Sequence, residues 1–337
     1  VRVWVEPSGE NLPLAAAEVD GVVAPTGGRV HGWESVGGND VLAVTLTDPE
    51  GPRRLADRLA LARRVLLPSL AGPLEDLGAR LRAEAVAHRS VCLRPLGRPT
   101  GGGSEGPIAA LGAAYVEGGG TIDLDDPDRR LWVVETSPGR FVVAEEVGAR
   151  GRSEFARRRM PQLPFQRPVS LPPRLGRVAV NLARLRSGDR VVDPFVGTGA
   201  LMLEAALMGM HVSGGDRDPK MVRGAIENLT SMGCDFERLR VADAAETWRP
   251  VSGGEWDAVV TDPPYGRASG SAGESPESLV ARTLPAWAQL VRPGGHVVVV
   301  QPGGPDPLPP TWRRVNCIPD RVHGSLTREF RVYVRAG

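Results

Sequence analysis

The second half of the chain alternates short apolar runs with stretches whose apolar residues recur at helical spacing. DRVVDPF predicts a strand, and the turn VGTG after it opens a helix over ALMLEAALMG. HVSGGD predicts a second strand, and PKMVRGAIENLTSMG a helix that stops at Gly233. RLRVAD, WDAVVTD and GGHVVVVQP predict three further strands, with a helix over ESLVARTLPAWAQLV that Pro285 kinks or breaks. WRRVNCI and REFRVYVRA read as a closing pair of strands. Strands alternating with helices imply parallel crossovers and a doubly wound sheet.

The first half has a different rhythm. VRVWVEP predicts a strand, LPLAAAEVDGVV a helix, GRVHGWES and VLAVTL two strands, and PRRLADRLALARRVLL an amphipathic helix. This βαββα order suits a small α+β unit. A second unit follows from about Gly72, with helix EDLGARLRAEAVAH and strands SVCLRPL, LWVVET and RFVVAEEV. RPTGGGSEG has the composition of a flexible loop, and the proline-rich MPQLPFQRPVSLPP that of an interdomain linker.

Composition narrows the class. Hydrophobic residues make up 41% of the 337, ample for a buried core, and no apolar stretch nears the roughly 18 to 20 residues of a membrane span. VRVWVEPSGE lacks a signal-peptide layout, and Cys92, Cys234 and Cys317 show no metal-like spacing, so buried thiols in a reducing cytoplasm are expected. His31, His88, His211, His296 and His323 are scattered, so no metal is expected. Net charge is only +1, but Lys220 is the sole lysine among 41 basic residues. Between Arg150 and Arg190 eleven arginines face only Glu154 and Asp189. Planar guanidinium forks in such a stripe suit phosphate contacts, and a solvated face suits them equally.

The candidate chemistry lies at predicted strand ends. Asp193 closes the first strand before Gly197 and Gly199, whose small size lets backbone approach a ligand. Asp216 closes the second strand and Asp243 the third, places suited to ribose hydroxyls and an adenine amino group. Each acid alone can equally cap the next helix. TDPPYGRASG then ends an apolar run with an acid, two prolines and a tyrosine, before a stretch suited to a lid.

The ordered set DPFVGTG, GGDRD, VAD, TDPPYG and VRPGGHVVVV resembles the S-adenosylmethionine-dependent methyltransferases of the Rossmann-like class. The resemblance implies that Asp193, Phe195, Gly197, Thr198 and Gly199 cradle the methionine part of the cofactor. Asp216 would hold its ribose, and Asp243 and Ala244 its adenine. Asp262, Pro263, Pro264 and Tyr265 match the motif of the members that methylate planar amino groups. In that chemistry the Asp262 carboxylate and the Pro263 carbonyl draw the two amino hydrogens, aiming the nitrogen lone pair at the methyl. Tyr265 would stack on the base.

SVCLRPLG and TIDLDDPDRRLWVV resemble a THUMP domain, an RNA-binding module of tRNA-modifying enzymes. WVEPSGENLPLAAAEVDGVV and GRVAVNLARLRSGDRVVDPFVGTG are similar to the archaeal enzymes that methylate N2 of tRNA guanosine 10. Together these resemblances imply an α/β protein with a Rossmann-like class I methyltransferase sheet at residues 173–337. Ahead of it are expected a ferredoxin-like unit (1–70), a THUMP domain (71–150) and a basic linker (151–172). Arg152, Arg157, Arg158, Arg159 and Arg167 would follow tRNA phosphates, in a cytoplasmic monomer. Alternatives are tRNA position 6, an rRNA or DNA amino-methyltransferase, or a tRNA-binding protein whose methyltransferase half is vestigial.

Overall fold

Runs such as Val297–Val300 are buried on both faces, the mark of parallel strands covered by helices on each side. The computed structural model describes residues 1–337 apart from 88–89, 98–104, 149–151, 159–161, 168–169, 247–248, 252, 265–274, 307 and 325. In chain order the elements begin with β1 (Arg2–Pro7), α1 (Leu12–Val23), β2 (Arg29–Val36), β3 (Asn39–Thr45), α2 (Gly51–Arg58) and β4 (Ala62–Pro73). They continue as α3 (Leu74–Glu84), β5 (Ser90–Pro95), α4 (Glu105–Glu117), β6 (Thr121–Ile122), β7 (Arg129–Ser137) and β8 (Arg140–Gly148). Next come α5 (Arg152–Ala156), α6 (Pro173–Leu182), β9 (Arg190–Asp193), α7 (Ala200–Ala206), β10 (His211–Asp216) and α8 (Pro219–Ser231). The last are β11 (Arg238–Val241), β12 (Trp256–Thr261), α9 (Pro276–Trp287), β13 (Val291–Pro302), β14 (Trp312–His323) and β15 (Leu326–Arg335).

Two compact units form, one of residues 1–9, 26–57 and 62–150, the other of residues 10–25, 58–61 and 151–337. The first is built on one eight-stranded sheet in the order β2-β3-β1-β4-β8-β7-β5-β6. The boundary expected at residue 70 falls inside β4, which pairs with β1 on one side and β8 on the other. The amphipathic helix expected over 52–67 is a correction: α2 ends at Arg58 and ARRVLL opens β4. Leu55, Val65 and Leu66 satisfy a helical period, but sheet pairing to two neighbours outweighs local periodicity, and Pro68 tells against a continuing helix.

The second unit carries a seven-stranded sheet in the order β11-β10-β9-β12-β13-β15-β14. β9 to β13 run parallel and β15 is antiparallel between β13 and β14. The order reverses between β9 and β12, and at such a switch point strand ends open a crevice for ligands. Asp218 caps α8 by accepting from Lys220 N, Pro219 starts it, and Gly233 at φ +66° lies just past its end. Pro285 stays within α9, which stops at Trp287, earlier than its apolar pattern suggests, because Val291 already begins β13.

Helix α1 belongs to this second unit. Asn11 caps it, accepting from Leu14 N and donating to the Pro319 carbonyl. It lies so close to α6 that a Cβ at Gly21 would stand 2.4 Å from the Asn181 carbonyl oxygen. Fully buried Glu18 accepts from Ala60 N, Leu61 N and Asn181 Nδ2, at 2.8 to 2.9 Å. Burial raises its pKa against the pull of those donors. Cys92 is buried, while Cys234 and Cys317 are half-buried; all three are free thiols. Among the described residues no helix is long and apolar enough to cross a membrane.

Candidate active site

Asp193 ends β9 almost wholly buried, 1% exposed, and its Oδ1 accepts from Phe195 N at 3.0 Å and from the Thr261 hydroxyl at 2.6 Å. Burial pushes this carboxyl up to about 7; the two donors pull it down and Asp216 pushes it up further. Thr261 ends β12, so its hydroxyl bridges the two strands that flank the switch point. Gly197 stands at φ +51° with open space around the place a Cβ would take, the nearest atom being Phe195 O at 3.8 Å. Gly199, at φ +81°, starts α7 against Ala225 and Leu229.

Asp216 lies opposite this turn at the end of β10. Its carboxylate accepts from Gly197 N at 3.0 Å and Asp218 N at 2.9 Å, and burial raises its pKa. The turn and Asp216 are joined directly by this hydrogen bond, and Asp193 lies at the start of the same turn through its bond from Phe195 N. Thr198 is buried, its hydroxyl 3.0 Å from that of Ser170. Phe195 meets buried Trp287 edge to face at 6.4 Å, and Trp287 Nε1 donates to the Ala244 carbonyl at 2.9 Å.

Asp243, expected to face an adenine amino group, is already engaged. Arg282 of α9 spans both its oxygens, at 2.8 and 3.4 Å, and Ala245 N donates to Oδ1. Arg282 above all holds this carboxyl below the usual carboxylate range. Nothing in the VAD pattern announces an arginine from a helix some forty residues on.

Asp262 follows β12 directly. Its Oδ1 is buried with no hydrogen-bond partner among the described residues, and its pKa is pushed up to about 8. Burial is the main cause, Asp193 adds to it, and Arg328 opposes it. An unpaired buried acceptor is costly, and such groups concentrate where a ligand completes them. Pro263 is buried and Pro264 half-buried beside it; Tyr265 and the stretch expected to act as a lid lie outside the described residues.

One arginine of the expected basic linker, Arg158, is a second correction. Arg158 is 6% exposed and turned inward, its Nε 2.7 Å from Glu204 Oε1. Arg177 Nε meets Oε2 of the same glutamate at 2.8 Å, and both guanidinium groups lie near the Phe155 ring. The carboxylate within the apolar helix α7 recruits these arginines, so Arg158 is structural rather than a phosphate contact. Arg157 and Arg167 are exposed; Arg159 and the side chain of Arg152 lie outside the described residues.

Residues 163–166 behave as a strap. Phe165 N donates to Asn228 Oδ1, and Asn228 Nδ2 donates to both the Phe165 and Thr198 carbonyls, all at 2.9 Å. The Phe165 ring covers Gly224 so closely that a Cβ there would stand 2.0 Å from it. Sequence reasoning missed Phe165, Asn228 and Thr261. The only signal for the first two was a glycine and an asparagine four apart on a helix otherwise read for its apolar face; none pointed to Thr261.

Residues 162–308 match a family model described as RMKL-like, methyltransferase domain. The chain is 36% identical over 230 residues to a tRNA (guanine(10)-N2)-dimethyltransferase of Methanothermobacter thermautotrophicus, covering 67% of each chain. It is 35% identical to the protein of that description from Pyrococcus abyssi, over 53% of this chain and 54% of that one. A tRNA (guanine(10)-N(2))-methyltransferase of Mus musculus is 33% identical over 127 residues, 30% of this chain and 27% of that protein. Among solved structures, TrmN from Thermus thermophilus aligns over 99% of both chains at 23% identity, with a TM-score of 0.48.

Proposed function

The chain belongs to the family of the tRNA (guanine(10)-N2)-dimethyltransferases, and from that premise we propose that it methylates the exocyclic N2 of guanosine 10 in tRNA. The cofactor of this reading is S-adenosylmethionine, which when bound supplies an electrophilic sulfonium methyl. The residues present fit it: Gly197 offers bare backbone and free space, and the carboxylate of Asp216, held by Gly197 N and Asp218 N, suits a ribose diol. Phe195, Thr198 and Gly199 shape the same cradle beneath the methionine part, with Asp193 at its floor. Ala244 and Asp243, which Arg282 already bridges, would face the adenine.

The observation that carries the proposal is the orphaned Oδ1 of Asp262 at the carboxyl edge of the sheet, beside the cradle. A guanine N2 has its lone pair delocalised into the ring and is a poor nucleophile. Asp262 Oδ1 accepts one amino hydrogen and the Pro263 carbonyl the other, and the prolines hold that carbonyl still. The nitrogen is thereby drawn toward a tetrahedral arrangement in a near-attack geometry. The nitrogen would take the methyl that the bound cofactor supplies, and one amino proton would pass to the ionised Asp262 carboxylate. Burial raises its affinity for that proton, so the step starts from the ionised carboxylate and gains as pH rises toward 8. Tyr265 would stack on the base, residues 71–150 would grip tRNA as a THUMP domain, and Arg157 and Arg167 would meet its phosphates.

Purified protein is offered labelled S-adenosylmethionine with unmodified tRNA and, separately, duplex DNA and ribosomal RNA. Digestion and mass spectrometry should give N2-methylated guanosine from tRNA alone, in a fragment holding position 10. Label at position 6, or in methyl-adenine or methyl-cytosine from DNA, would overturn the substrate assignment while leaving the amino-group chemistry standing. Gly224→Ala provides a separate check on the strap. The added methyl displaces the Phe165 ring and loosens the Asn228 clamp on Thr198, so cofactor binding by calorimetry should weaken by about tenfold, or roughly 1.4 kcal/mol.

A further inference from the structure

The register of the second sheet brings a buried cation to the same face as Asp262. Thr261 lies beside Val299, Val300 beside Phe330, and Pro302 beside Arg328. Alternation along the strands puts Val260, Val298, Val300, Phe330 and Val332 on one face, and all five lie in a single buried cluster. Asp262, one residue beyond β12, and Arg328, two residues before Phe330, continue that face toward the carboxyl edge of the sheet. Arg328 is 8% exposed, and its Nε lies 3.1 Å from Oδ2 of Asp320, which is directly opposite on β14. The contact is an ion pair without hydrogen-bonding geometry, since Arg328 Nε finds no partner that meets it. Among the described residues Asp320 is the only carboxylate within ion-pair distance of this guanidinium.

A buried guanidinium with one loosely engaged carboxylate retains positive charge to spend on a second acid. The charged groups that bear on Asp262 are Asp193 on β9, which repels it, and Arg328 on β15, with Asp320 on β14 behind it. Burial and Asp193 both favour the neutral acid. In that form Asp262 presents a hydrogen where the substrate amino group needs an acceptor.

We propose that Arg328 is a positioning residue for methyl transfer, acting through Asp262 by favouring the charged carboxylate, the form that can accept from the substrate amino group. The inference rests on the assignment of Asp262 as the acceptor of the amino hydrogen. Removing the charge while keeping a polar side chain, as in Arg328→Gln, raises the pH at which Asp262 ionises. Arg328→Lys keeps the charge and largely spares it.

The test is the single-turnover rate of methyl transfer to tRNA across pH 6 to 10, at saturating S-adenosylmethionine, for wild type, R328K and R328Q. The midpoint of the rise in rate should move up by about one pH unit in R328Q, a roughly tenfold loss at pH 7 that narrows to about twofold at pH 9 and vanishes toward pH 10. R328K should stay near wild type. A rate lowered equally at every pH, with the midpoint unmoved, would mean that Arg328 serves only the fold, and would overturn the proposal. Should R328Q fail to fold, D320N/R328Q replaces the ion pair by a neutral hydrogen-bonding pair and is read the same way. The carbon-13 titration of the Asp262 carboxyl, assigned by its loss in D262N, follows the same shift in substrate-free protein. It therefore separates failure of this proposal from failure of the tRNA assignment: an inactive wild type sinks the latter, an unmoved Asp262 titration the former.

Discussion

Asp262→Ala should lower methyl transfer by about 10³-fold or more while tRNA and cofactor binding stay within several-fold of wild type. The variant removes both the acceptor that orients the amino group and the base that takes its proton, but none of the cradle around Gly197 and Asp216. Single-turnover kinetics beside equilibrium binding separates these effects, and near-wild-type turnover would sink the catalytic assignment. The same position has a cost that shows in stability. The folded pKa of Asp262 stands at about 8, above that of an unfolded aspartate. Between roughly pH 4 and 8 the folded protein thus holds a proton that the unfolded chain has released. Stability from this group is complete below about pH 4 and is lost as pH rises toward 8. Asp262→Asn should therefore melt higher than wild type at pH 8 and almost equally at pH 4, gaining stability where it loses activity.

Glu204→Ala should destabilise the protein by about 3–5 kcal/mol. Glu204 is 1% exposed and takes two guanidinium groups, Arg158 on Oε1 and Arg177 on Oε2, themselves 6% and 1% exposed. Deleting the carboxylate removes the acid that two buried cations share, in a setting packed around Phe155. Chemical denaturation should show the loss as a lower midpoint with an unchanged slope. A change below about 1 kcal/mol would mean that the arginines find other partners. Replacing all three residues by apolar side chains of matching volume should recover much of the loss, because the desolvation of three charges goes with them.

The sheet of the second unit was legible because β9, β12 and β13 carry consecutive valines and its acids fall at strand ends, a regular spacing that survives folding. The cradle of Asp193, Gly197 and Asp216 was legible for the same reason: it is local to two consecutive βα turns. Partners supplied from afar were not. Thr261 reaches Asp193 across 68 residues and Arg282 reaches Asp243 across 39, and no periodicity encodes either. Arg158 was misplaced because a basic stripe looks alike whether its members face solvent or a buried glutamate. Residues 59–67 were misread because their apolar positions fit a helix, whereas their sheet partners lie far away in the chain.

Helix α1 spans residues 12–23 but is buried against α6, which starts at Pro173. On the ribosome, then, the first helix emerges about 150 residues before the surface it will cover exists. Through that interval Leu14, Val19 and the Glu18 carboxylate stay in water, and the second unit cannot close until its carboxyl-terminal half has been made. A fragment cut at residue 151 would inherit the complementary defect: an α6 whose Asn181 has lost Glu18 and whose apolar side is bare.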